Sequence, residues 1–212
     1  MVRGPCGPLE PLSGGTGWRK ARTWAIDGDM ALPSTLHHFD VRLSHVDRGV
    51  ERDLAVKVAR HPSETVERLW LRLLAYCWQW EESLAFGPGI CEPEEPDLVA
   101  LGPDGSTRTL LVRVGRPELA RIEKDCARGG GARVAVLFDS PRRLEAFLEE
   151  ARAGRPERVS RAELAALPEA LVRPLSQREE RRAKLGLTIA DDHLYLDVGG
   201  ETLDGALVRG RP

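Results

Sequence analysis

The stretch Pro96-Asp-Leu-Val-Ala-Leu101, a Gly/Asp turn, Thr109-Leu-Leu-Val-Arg-Val114, then Gly115-Arg-Pro-Glu118 and a helical run through Lys124 decides how this chain is read. Two apolar segments around a Gly/Asp turn predict a hairpin. An acid after Pro, a hairpin, a second strand with a charge near its end and a helix bearing a Lys gather charged side chains along this stretch, and the charge on the second strand is a cation, Arg113.

Downstream, Val134 to Phe138 is an unbroken apolar run, the pattern of a central strand covered on both faces. Strand 109–114, helix 117–128 and strand 132–138 therefore form a β-α-β crossover whose two strands are parallel and neighbouring or nearly so. Ser140-Pro141 opens a further helix with Leu144, Phe147, Leu148 and Ala151 on one face. Ala162 to Leu171 reads as a weaker helical stretch interrupted by Pro168, and the mixed charges from Arg178 to Lys184 as a solvated segment. Leu185, Leu187 and Ile189, an Asp191-Asp192 turn, then Leu194, Leu196 and Val198 predict a closing hairpin.

Upstream, Phe39, Val41 and Leu43 alternate with polar residues, Asp47-Arg48-Gly49 turns the chain, and Leu54, Val56 and Val58 repeat the period of two. This predicts another hairpin, with His37, His38 and His45 at its surface because no metal-ligand spacing surrounds them. The strongest helix spans 63–82, with Ser63 as N-cap and Val66, Leu69, Trp70, Leu73, Leu74, Cys77 and Trp78 on its apolar face. Glu64 and Glu67 fall in its first turns. There they either complement the helix dipole or supply a further carboxylate to a site at Asp97.

Composition bounds the function. At 212 residues, with 42% hydrophobic and 30% charged residues, the chain can bury a sizeable core. No apolar run reaches the roughly 20 residues of a membrane span. The net charge of −2 gives no globally basic surface for nucleic acid, though folding can gather a local patch. Cys6, Cys77, Cys91 and Cys126 form no C-x-x-C pair, which argues against a zinc site or disulfide framework and for reduced cytoplasmic thiols. Residues 1–29, with six Gly, three Pro and no apolar periodicity, read as a disordered extension preceding a natural start at Met30.

Several segments together resemble the YaeQ family of small bacterial cytoplasmic proteins. They are Met30-Ala-Leu, Ala59-Arg-His-Pro-Ser-Glu-Thr65, Arg72-Leu-Leu-Ala, Glu95-Pro-Asp-Leu, Val114-Gly-Arg-Pro-Glu118, Arg121-Ile-Glu-Lys-Asp-Cys126 and Leu187-Thr-Ile-Ala-Asp191. The resemblance covers about residues 30 to 207 as a single domain. It implies an α/β fold of α+β character: a PD-(D/E)XK restriction-endonuclease-like mixed sheet flanked by helices, with added N- and C-terminal β-hairpins. It also implies site positions. Asp97 is the acid after Pro and the metal ligand, Arg113 replaces the strand carboxylate, and Lys124 is the lysine moved onto the helix.

Arg113 decides what the resemblance means for chemistry. A cation at 4 Å from a unit charge costs about 4 kcal/mol at an effective dielectric of 20, and a divalent ion doubles that. Arg113 is expected to pair with Asp97 in the metal's place, abolishing Mg²⁺ binding unless Glu64, Glu67 or Glu118 reorganises around the gap. Lys124 points roughly opposite the face made by Leu119, Ile122 and Cys126. The leading expectation is a lapsed nuclease-like domain without a cofactor, with Arg113, Arg116 and Arg121 as a phosphate-contacting cluster for nucleic acid, or a protein partner instead. A non-catalytic scaffold and a working Mg²⁺-dependent nuclease with a rearranged site are the alternatives.

Overall fold

The computed structural model describes residues 34–89, 92–128 and 130–212, so residues 1–29, the start at Met30 and the thiols Cys6 and Cys91 lie outside the described residues. The described residues begin with the expected hairpin, β1 (Thr35–His45) and β2 (Val50–Arg60), paired antiparallel from Thr35↔Arg60 to His45↔Val50. Gly49 closes the turn at φ +62°, a left-handed conformation that favours glycine. Odd positions of β1 face inward, so Phe39, Val41 and Leu43 are buried. His37 and His45 share that parity and are buried too, at 1% and 5% exposure, which corrects their expected surface placement. His37 Nδ1 lies 3.0 Å from the Glu180 carbonyl oxygen, and its ring stacks beside Phe39.

Helix α1 (Val66–Trp78) is capped by Thr65, whose hydroxyl accepts from the Arg68 N–H at 3.2 Å. The cap is thus Thr65 rather than Ser63, because His61–Glu64 forms its own turn, Glu64 N–H to His61 O at 2.9 Å. Strands β3 (Leu84–Phe86), β4 (Leu98–Leu101) and β5 (Arg108–Gly115) follow as an antiparallel series. Helix α2 (Leu119–Arg128) then crosses to β6 (Arg133–Phe138), parallel to β5 with Leu110↔Arg133 and Gly115↔Phe138. That is the predicted crossover. Helix α3 (Pro141–Ala153) opens with Pro141 as expected.

The stretch read as one weak helix is strand β7 (Ala162–Ala166) followed by helix α4 (Glu169–Leu175), with Pro168 as N-cap. Ala-Glu-Leu-Ala-Ala is a helix-forming string, but the edge of β6 offers it a parallel partner, Val134↔Ala162, and tertiary pairing overrides propensity. The segment expected to be solvated is likewise partly a strand. Arg182 and Lys184 begin β8 (Arg182–Ala190), parallel to β1 with His38↔Arg182. Strand β9 (His193–Val198) returns through Asp191 and Asp192, both at positive φ, and two further strands, β10 (Glu201–Ala206) and β11 (Val208–Gly210), extend beyond the hairpin.

Two mixed sheets result among the described residues, ordered β10-β9-β8-β1-β2 and β11-β7-β6-β5-β4-β3, with four α-helices. One core unites both sheets and α1, from Phe39 and Val41 through Leu73 and Leu74 to Leu110 and Val112. A second core packs Val134, Val136 and Phe138 against Ile122 of α2 and Phe147 of α3. Even residues of β5 face α1, so Arg113 must point toward the α2 side. Among the described residues no helix is long and apolar enough to cross a membrane.

Candidate functional site

Asp97 and Arg113 border one small cavity at an end of the second sheet without binding each other, while Lys124 borders a different cavity. Asp97 is 5% exposed. Its Oδ2 accepts from the Val114 N–H at 2.9 Å and its Oδ1 accepts from Arg68 Nη2. Arg68 also donates through Nη1 to the Val114 carbonyl at 3.1 Å, so one guanidinium clasps the end of β5. Gly115, at φ +83°, leaves room for it, since a Cβ there would lie 3.4 Å from Arg68 Nη1.

Glu64 extends this pairing. It lies before α1, is 3% exposed, and faces Arg72 Nη1 at 3.3 Å and Arg68 Nε at 3.6 Å. Arg72, itself 2% exposed, donates also to the Ala59 carbonyl at 3.0 Å. Arg72, Glu64, Arg68 and Asp97 therefore alternate in sign along a buried ladder. Glu64 is neither a dipole complement in a first turn nor free to serve a site at Asp97. Glu67 does occupy the first turn of α1, where it borders a different cavity of about 710 Å³ with Arg116, Asp139 and Arg143.

Arg113 does not touch Asp97. Its Nε donates to Asp125 Oδ2 at 2.5 Å and its Nη2 to Asp125 Oδ1 at 3.3 Å. The remaining donors reach three consecutive carbonyls, Pro93 and Glu95 at 3.2 Å each and Glu94 at 2.8 Å. A guanidinium has five N–H donors, and all are used within the chain. Asp125 sits on the apolar side of α2 at 8% exposure and supplies the compensating charge.

The other two arginines are also engaged. Arg116 Nε donates to Asp139 Oδ2 at 3.1 Å, and Asp139 further accepts from Ser140 Oγ at 3.1 Å and faces Arg143 Nε at 3.1 Å. Arg121 donates to the Pro93 carbonyl and lies 3.4 Å from Glu118. Lys124 reaches back from α2 to Glu94 Oε2 at 2.6 Å, its side chain partly exposed. That hydrogen bond, with the lysine charge, holds the Glu94 carboxyl below the usual carboxylate range. A cavity of about 230 Å³ remains between Asp97, Arg68, Arg116 and Arg121.

Arg68, Arg72, Asp125 and Asp139 escaped the sequence reading. Glu64, Arg68 and Arg72 recur every four residues, a spacing that aligns side chains along a helix, and this was the available signal. Asp125 interrupts the apolar face beside Ile122 and Cys126, a position that demands a buried cation.

The family model for YaeQ, described as YaeQ protein, matches residues 30–206. This chain belongs to the YaeQ family. A YaeQ protein of Salmonella typhi is 30% identical over 175 residues, 82% of this chain and 94% of its own length. A YaeQ protein of Escherichia coli is 35% identical over 121 residues, 57% of this chain, and the match spans only 65% of that relative's length. The crystal structure of the YaeQ protein from Pseudomonas syringae superposes with a TM-score of 0.74 at 29% identity, covering 84% of this chain and 97% of that one. The YaeQ structure from Xanthomonas axonopodis pv. citri gives 0.75 at 24% identity, covering 84% and 98%, and shows the shared fold. The α/β class read from the sequence agrees with these neighbours.

Proposed function

We propose that this YaeQ-family chain is a non-catalytic relative of the PD-(D/E)XK nucleases, whose former metal position now serves as an ion-pair lock, and that it acts by binding a protein partner. The observation that carries this reading is the complete internal use of the Arg113 guanidinium by Asp125 and the 93–95 carbonyls. The residues present do not fit a hard divalent cation. Such an ion needs several open oxygen ligands, whereas Asp97 has one oxygen on Arg68 and the other on a backbone N–H. Among the described residues no three acidic, His or Cys side chains converge on a point. Glu118, the remaining candidate for rearrangement, is exposed and turned to Arg121.

A protein partner is favoured over nucleic acid because the expected phosphate-contacting arginines are already paired with carboxylates within the chain. Arg113 faces Asp125, Arg116 faces Asp139, and Arg121 faces Glu118 and lies 3.9 Å from Glu94. Phosphate recognition draws on cations free to exchange their counterions for a backbone. Calorimetry with Mg²⁺ and Mn²⁺, together with fluorescence anisotropy on single- and double-stranded DNA and RNA at low salt, tests both halves. No saturable metal heat and no nucleic-acid binding are expected. Saturable metal binding that disappears in Asp97→Ala would overturn the lapsed-site half. Salt-dependent nucleic-acid binding weakened by Arg116→Ala and Arg121→Ala would overturn the choice of partner.

A further inference from the structure

Strand β2 is an 11-residue edge of the first sheet, and among the described residues no strand pairs with its outer side. Which backbone groups face outward follows from three contacts. The His38 N–H donates to the Arg181 carbonyl, on the β8 side, so even positions of β1 turn away from β2 and odd positions turn toward it. With Phe39 opposite Val56 and Val41 opposite Leu54, even positions of β2 are spent on β1. Odd positions Glu51 to Ala59 therefore present their N–H and C=O groups outward. The Glu51 carbonyl accepts from Arg52 and the Ala59 carbonyl from Arg72, as outward-facing groups would. The side-chain caps cover the ends and leave Asp53, Ala55 and Lys57 open in the middle.

We infer that this open centre is a self-association site, where β2 pairs antiparallel with β2 of a second copy about a two-fold axis at Ala55. In that register Ala55 meets the partner's Ala55, and Lys57 meets the partner's Asp53 on both sides of the axis. All three central residues exchange paired N–H···O=C bonds, and the two sheets merge into one. The charge pattern favours this register over those centred on a charged residue. Centring on Asp53 would oppose two carboxylates, and centring on Lys57 two ammonium groups, each directly cross-strand and destabilising. Ala55 at the centre has no bulk to obstruct the approach. Asp53 currently lies 3.6 Å from Arg42 with both side chains largely exposed, so it accepts a second cation without being uncovered. Long unpaired edges invite such pairing unless a protein blunts them, and β2 is blunted only at its ends.

The inference does not depend on the proposed function. Sedimentation equilibrium on the full chain tests it, with far-UV circular dichroism to check folding. The wild-type chain is expected to dimerise in the micromolar range. Ala55→Pro removes an N–H that no partner among the described residues uses, so it should keep the fold and give a monomer. Asp53→Lys should weaken the dimer roughly tenfold or more by setting cation against cation twice, and adding Lys57→Asp should restore it. A wild-type chain that stays monomeric up to about 1 mM would overturn the inference, that concentration marking only about 4 kcal/mol of association. A dimer unaffected by both Ala55→Pro and Asp53→Lys would overturn it equally.

Discussion

Arg113 of β5 and Asp125 of α2 are joined by two hydrogen bonds, from Nε at 2.5 Å and from Nη2 at 3.3 Å. The pair fixes the helix to the strand it follows, and the same guanidinium gathers the carbonyls of residues 93–95. Burying a charge is tolerable only when it is paired and hydrogen-bonded, and this one is both. Arg113→Leu should therefore cost about 3–5 kcal/mol, because it strands the Asp125 carboxylate and three carbonyls together. Adding Asp125→Leu should recover part of the loss by removing the stranded charge. Urea unfolding of the two variants gives the numbers. A single-variant cost below about 1 kcal/mol would mean the pair is no lock.

Placing a carboxylate at this position should not create a metal site. In Arg113→Glu the new acid faces Asp125 rather than a cation, while Asp97 stays on Arg68 and the Val114 N–H. The expected result is a less stable protein with no saturable Mn²⁺ heat. Like charges brought close together disfavour each other's ionised form, which weakens a hard-metal site further. Tight Mn²⁺ binding by this variant alone would show that a single charge separates the site from function.

Glu64 and Glu67, three residues apart and both acidic, should behave very differently. Glu64 is buried against Arg72, so Glu64→Ala leaves the buried Arg72 guanidinium without a carboxylate and should cost about 3–5 kcal/mol. Glu67 serves the first turn of α1, and Glu67→Ala should cost about 0.3–1 kcal/mol. Thermal or urea unfolding separates them, and equal costs would contradict the ladder.

Much of this architecture was legible because strand parity and helix periodicity are local. Phe39, Val41 and Leu43 revealed one face, and the same counting placed His37 and His45 on it. Their expected surface placement rested on the lack of metal-ligand spacing, which does not bear on the face a strand residue takes. The 134–138 run revealed a strand covered on both faces. What local patterns cannot carry is which distant charges meet. Arg68 and Asp97 lie 29 residues apart, and only the crossing of α1 over the end of β5 brings them together. Strand β7 was hidden for a related reason, since its partner, not its composition, makes it a strand. The nearness of Asp97 to Arg113 was thus legible, but not the pairings that each makes.

Lys124 and Glu94 offer a titration readout. The lysine holds the Glu94 carboxyl low, so its folded pKa lies below the unfolded one. The interaction is then fully present above the unfolded value and is lost as pH falls through the folded one. In Lys124→Ala, the Glu94 carboxyl resonance should titrate at higher pH than in the wild type, followed by carbon-detected NMR. An unchanged midpoint would mean the contact does not persist in solution.

Cys77 tests the main core. It has no exposed surface, and burial pushes its thiol up to about 12, because a thiolate has no water or cation there to stabilise it. Burial raises Cys126 as well. Since the thiolate is the reactive species, iodoacetamide at pH 8 should leave the Cys77 peptide unmodified in the native protein and alkylate it fully in denaturant. Peptide mapping by mass spectrometry resolves it from the other thiols. Native labelling at a rate close to that in denaturant would place Cys77 outside a closed core and undo the packing of α1 between the two sheets.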